Sequence, residues 1–195
     1  MSESKFEVFE SIAKGRRTVS FNKMNGKAIP DETIHKLLEL AHWAPTHGRT
    51  EPWHFYVFGG EAKVSFGKIH SDIYWQHTPE EKRTTENFEK WLHTPDKVSH
   101  VLVAVMKRGE NPKIPQLEEI AATSAAMQNI LLGATALGIA SFWSTGGMVH
   151  HPAFKEHFKL GEHDIVMGLI YLGYTDEPLN EGKRNKAVTE NATWA

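Results

Sequence analysis

Three short stretches carry the side chains that could do chemistry. Arg16-Arg17-Thr18-Val19-Ser20 sets two arginines and two hydroxyls within five residues, forked and single donors suited to phosphate oxygens. A solvated surface accounts for a bare arginine pair equally well. The polar loop Ala44-Pro45-Thr46-His47-Gly48-Arg49-Thr50-Glu51 runs into Pro52-Trp53-His54-Phe55, and its bracketing prolines fix a rim from which side chains can reach a ligand. The third is Ser144-Thr145-Gly146-Gly147. A diglycine lets backbone approach a ligand closely and leaves amide hydrogens free to donate, although a plain turn is the other reading. This stretch lacks the lysine of a P-loop and does not fit the dinucleotide glycine fingerprint. A basic cluster, Lys183-Arg184-Asn185-Lys186, joins the first stretch only if the chain folds back near Arg16.

Composition removes several chemistries. There is no cysteine, so disulfides, thiolate nucleophiles and Cys-ligated metal centres are excluded, and a reducing compartment fits. The 12 histidines fail the spacing test for a metal. His150 and His151 are adjacent, and His42, His47 and His54 neither sit at i, i+4 nor lie in an HExxH context. No Gly-x-Ser-x-Gly elbow occurs. The balance of 22 basic against 24 acidic residues, a net charge of −2, gives no argument for nucleic acid or a membrane surface. The opening Met1-Ser2-Glu3-Ser4-Lys5 carries no apolar signal region, and no run nears the roughly eighteen apolar residues that span a bilayer. A cytoplasmic protein of one domain, residues 1–195, is expected.

The elements that must position these stretches follow from periodicity. Phe6, Phe9, Ile12 and Ala13 repeat at helical spacing up to Gly15. Ile34, Leu37, Leu38 and Ala41 mark a helix over Asp31 to Trp43, with Asp31 expected to cap it and Pro45 to stop it. Alternation from Trp53 to Phe58 predicts a strand, and Val98 to Met106 and Ile165 to Gly173 read as buried strands. Helices are expected over Lys63 to Ile73, Pro79 to Leu92 and Pro152 to Phe158. Tyr74, Trp75 and Trp91 suit a lid, a subunit contact or packing on their own domain. Gln116 to Leu137 reads as a long helix covered nearly all round, a core axis or a subunit interface; a strand from Gly138 then runs into the diglycine turn.

Taken in order, the arginine stretch, the "Ala-Pro-Thr, five residues, Pro-Trp-His-Phe" loop, the diglycine strand end and the basic tail resemble the FMN-dependent nitroreductase family, in its short-chain bacterial NAD(P)H nitroreductase branch. The resemblance spans about residues 8–186 and is most specific at Ala44 to Phe55. It implies an α+β fold, a central mixed or antiparallel sheet flanked by helices, assembled as an intertwined homodimer with FMN at the subunit interface. Carried over by position, Arg16 and Thr18 would meet the phosphate and ribityl chain, with Arg17 alongside, and Ser20 would stand near flavin N1 and O2. Pro45, Thr46, His47 and Arg49 would come from the other subunit. Trp143, Ser144 and Thr145 would lie along the ring, and Arg184 would close on the phosphate. No metal is implied.

The implied reaction is ping-pong hydride transfer from NAD(P)H through flavin N5 to a nitroaromatic, a quinone or a similar small acceptor, with no side chain needed as acid or base. Alternatives are another flavoenzyme on the same scaffold, performing dehydrogenation, flavin breakdown or dehalogenation, or a flavin-binding redox sensor without turnover. Two positions depart from the family pattern. Ser20 stands where a basic residue is common, so either the charge that favours reduced flavin comes from elsewhere, with Arg49 and Arg17 the candidates, or the flavin potential is lower. Arg49 and Glu51 replace the usual Asn and Gln.

Overall fold

A computed structural model describes residues 4–195; residues 1–3 of the opening segment read for a signal region lie outside them. The first helix, α1 (Lys5–Gly15), starts in a reciprocal capping box. The Ser4 amide donates to Glu7 Oε2 at 2.7 Å and the Glu7 amide to Ser4 Oγ at 3.2 Å, which satisfies two of the amides that open a helix.

Helix α2 (Asp31–His42) buries Ile34, Leu37 and Ala41 as the periodicity predicts. Asp31, however, does not cap it. Pro30 takes the capping position, and Asp31 Oδ1 instead accepts from His100 Nε2 at 3.1 Å. Strand β1 (Trp53–Gly59) follows the polar loop, and α3 (Ala62–His77) runs one turn beyond its predicted end. The next helix, α4 (Thr85–His93), begins later than the expected Pro79. Thr84 Oγ1 accepts the Asn87 amide and fixes the start there, while Pro79 opens a turn closed by the Lys82 amide.

Strand β2 (His100–Met106), helix α5 (Gln116–Ala136), strand β3 (Ala140–Ser144), the short helix α6 (Pro152–His157) and strand β4 (Ile165–Gly173) complete the order. The four strands form an antiparallel sheet in the order β1-β2-β4-β3. All seven residues of β2 are buried, because layers cover both sheet faces. Leu102 and Ala104 face a core with Leu37, Met127 and Ile130; Val101, Val103 and Val105 face a second with Phe66, Phe154 and Tyr171. Full burial of one such aliphatic side chain contributes about 1.5–3 kcal/mol, so a charge at Leu102 would break the first core.

Within one chain, helix α5 is covered on one side. Its inner face is buried against α2 and the sheet, but Leu117 is 73% exposed and Ala121 and Ala136 are open. Among the described residues nothing covers Leu117, Ala121 or Ala136. On α1, Phe6 and Phe9 are likewise exposed. Among the described residues no helix is long and apolar enough to cross a membrane.

Candidate functional site

The arginine stretch lies along the β3 edge of the sheet. Thr18 forms a parallel bridge with Ser141, and the Val19 amide donates to the Ser141 carbonyl at 3.0 Å. Val19 turns into the core while Thr18 and Ser20 line a small cavity of about 180 Å³ shared with Thr175 and Asn180. Alternation along extended backbone produces this division.

Arg16 and Arg17 meet different fates. The Arg17 guanidinium donates to the carbonyls of Lys14, Arg16 and Asn180 at 2.6, 2.8 and 2.7 Å. Arg16 is half-buried and, among the described residues, makes no ion pair. The tail returns to this place. A Cβ on Gly182 would fall 2.8 Å from the Arg17 guanidinium carbon, so the basic cluster Lys183 to Lys186 follows directly from a segment resting on Arg17. Arg184 is exposed, its guanidinium donating, among the described residues, only to the Lys183 carbonyl at 2.9 Å.

From Ser141 the same strand leads to the diglycine turn. The Trp143 indole donates to the Met167 carbonyl at 3.1 Å. That carbonyl is available because the β2–β4 register shifts between Ala104, paired with Gly168, and Val105, paired with Val166, and a bulge re-aims the unmatched residue. Ser144 Oγ accepts the Gly146 amide at 3.2 Å, Thr145 is exposed, and Gly147 takes a φ of 71°.

Behind the turn stands a residue that sequence reading passes over. His70, 1% exposed on α3, accepts the Met148 amide on Nε2 at 3.0 Å. Its one sequence signal is its place in the core spacing Phe66, His70, Ile73. The ring stacks on Trp91 at 4.5 Å, and Tyr74 is buried with its hydroxyl accepting the Thr84 amide at 2.9 Å. Within the chain, Tyr74 and Trp91 both pack on their own domain.

The proline-bracketed loop sits elsewhere, leading into β1 at the opposite edge of the sheet. With β2 and β4 between β1 and β3, the two edges stand about 14 Å apart at the usual strand spacing. Pro45 precedes Thr46, which enters a single 3-10 turn, His47–Arg49. Thr46 Oγ1 lies 3.0 Å from Thr50 Oγ1 and accepts the Glu51 amide at 3.2 Å. Arg49 and Glu51 hold φ values of 54° and 44°, left-handed geometry that costs an L-residue about 1–2 kcal/mol. His47 Nδ1 pairs with Glu118 Oε2 at 2.5 Å at the start of α5. Within one chain, then, the arginine stretch meets the returning tail at Asn180 and Gly182 and flanks β3 at Ser141, the diglycine turn follows at the far end of that strand, and Pro45, Thr46, His47 and Arg49 face a different rim.

A four-stranded antiparallel sheet sandwiched by helices, with a cationic stretch bridged to the strand that ends in a diglycine turn, defines a class of α+β protein. Comparison narrows it: the nitroreductase family profile matches residues 13–174, and the chain belongs to the nitroreductase family. It is 29% identical over 178 residues to YfhC of Bacillus subtilis, whose name assigns it provisionally to the NAD(P)H nitroreductases; the match covers 91% of this chain and 89% of YfhC. The crystal structure of a nitroreductase-like family protein from Bacillus cereus superposes with a TM-score of 0.83 at 28% identity, over 100% of this chain and 98% of that one. A Bacteroides fragilis nitroreductase with bound FMN gives 0.68 at 25% identity, over 97% and 98%.

Proposed function

We propose that this chain is an FMN-dependent NAD(P)H oxidoreductase that reduces a nitroaromatic, a quinone or a similar small acceptor by a ping-pong mechanism. It acts as a homodimer, each copy a single FMN-binding domain in the cytoplasm. The observation that carries the reading is Arg16, a half-buried guanidinium without an acidic partner among the described residues. It lies two residues before Thr18, which is bridged to the strand that leads to the diglycine turn, and the tail returns to its neighbour Arg17.

The donor set fits the cofactor. A phosphate dianion is matched by the Arg16 fork, the Thr18 and Ser20 hydroxyls and Arg184. Arg17 adds charge from a fixed position but spends its donors on carbonyls. A planar ring suits a wall made of Trp143, Ser144, Thr145 and the glycine backbone. When bound, FMN supplies a two-electron relay between NAD(P)H and the oxidised acceptor. The residues of this chain bind and orient it and shape what may stack upon it.

A second copy is required because Pro45, Thr46, His47 and Arg49 lie at the far sheet edge from Arg16. Exposed Phe6, Phe9 and Leu117 offer the apolar surface such an assembly buries. The test is an absorbance spectrum of the purified protein followed by anaerobic NAD(P)H titration. Bound flavin that is bleached by one equivalent per site is expected. Colourless protein that stays inactive with NAD(P)H and a nitroaromatic after FMN is added would overturn the reading.

A further inference from the structure

The diglycine turn is held from both sides. From within, Ser144 Oγ accepts the Gly146 amide at 3.2 Å. From behind, His70 Nε2 accepts the Met148 amide at 3.0 Å. The approach is so close that a Cβ on Gly147 would fall 2.4 Å from His70 Nε2 and 3.0 Å from the Trp91 ring. Gly147 is therefore a glycine for two reasons, its φ of 71° and the imidazole against which its backbone lies.

An imidazole nitrogen that accepts a hydrogen bond carries no proton, so the proton of neutral His70 belongs on Nδ1. The ring cannot swing away. Trp91 stacks on it at 4.5 Å with 19° between planes, and Phe66 and Phe154 meet it edge-on at 5.9 and 5.7 Å. Burial pushes its pKa down to about 4, which keeps the accepting nitrogen bare at neutral pH.

We propose that His70, clamped by Trp91, is a positioning residue that sets the backbone path of the Ser144–Gly147 turn and through it the fit of the FMN ring, without touching the cofactor. The proposal rests on the FMN reading for its second half and on the hydrogen bond alone for its first. It gives the α3–α4 segment a task, that of a rigid backing to the turn.

His70→Phe keeps an aromatic ring on Trp91 and removes the acceptor; His70→Gln can return an oxygen near the place of Nε2. In flavin-free protein, amide exchange at Met148 should accelerate by about fivefold or more in His70→Phe, the factor of one hydrogen bond, and recover in His70→Gln. The FMN dissociation constant should rise by about the same factor, with a shift of the bound flavin's visible bands, and recover likewise. Equal Met148 exchange in wild type and His70→Phe overturns the proposal, as does accelerated exchange with unchanged FMN affinity. Nitrogen NMR of wild-type His70 provides a check that needs no variant: a proton on Nε2 overturns the proposal. Wild type that shows the exchange pattern but binds no FMN overturns the cofactor reading and supports the anchor.

Discussion

Thr18 is bridged to Ser141, the two segments running parallel where the rest of the sheet is antiparallel. The link ties the arginine stretch to the strand that ends in the diglycine turn, so the two parts of the proposed cofactor site share one rigid support.

Arg16→Ala should weaken FMN by about tenfold to a hundredfold, the worth of a hydrogen bond from a charged donor, with little change in melting temperature. Flavin fluorescence quenching reads the affinity. Arg17→Ala should chiefly loosen the returning tail, which limited proteolysis detects as faster cleavage after residue 178.

Ala121 is exposed on α5 beside Leu117. In an isolated chain Ala121→Glu would shift stability by no more than about 0.5 kcal/mol. If the open side of α5 joins two copies, the variant should sediment as a folded monomer and lose FMN together with the assembly.

A Cβ on Gly168 would lie 2.5 Å from Trp143 Nε1 and 2.9 Å from the Ser144 carbonyl oxygen, at a φ of 141°. Gly168→Ala should therefore cost about 1–3 kcal/mol, the usual range for overpacking, in a urea titration. It should also displace the indole and change the spectrum of bound flavin.

Stability should fall with acid. The pKa of His70 drops from 6.5 unfolded to about 4 folded, so as pH falls below 6.5 the unfolded chain takes up a proton that the folded one refuses. The loss continues down to about pH 4 and amounts to about 3 kcal/mol. Burial lowers the pKa values of His54 and His100 and adds in the same sense, while His93, raised by its hydrogen bond to Asp96, opposes it. Urea titrations at pH 7 and pH 5 measure the slope, and His70→Gln should flatten it.

The sequence makes the helices and strands legible wherever one periodicity governs a segment. The alternation of Trp53 to Phe58 and the unbroken apolar run of Val101 to Met106 both become strands. Capping is less legible. Asp31 is a sound capping residue by type, yet Pro30 pre-empts the position and a histidine 69 residues away claims the carboxylate. The openness of α5 is hidden because small apolar residues read alike whether a core or a second copy covers them. The cationic edge can be inferred from residue types, but not the division of labour within it. Arg17 finds its carbonyl at Asn180, 163 residues on, and the bond from Met148 to His70 spans 78. No local pattern encodes such distances.

The three carbonyls gathered by Arg17 belong to the end of α1 and to the homeward tail. One side chain thus latches the end of α1 to the returning tail through a planar ion that cannot shed its charge. A fusion inserted near residue 182 will tug on that latch.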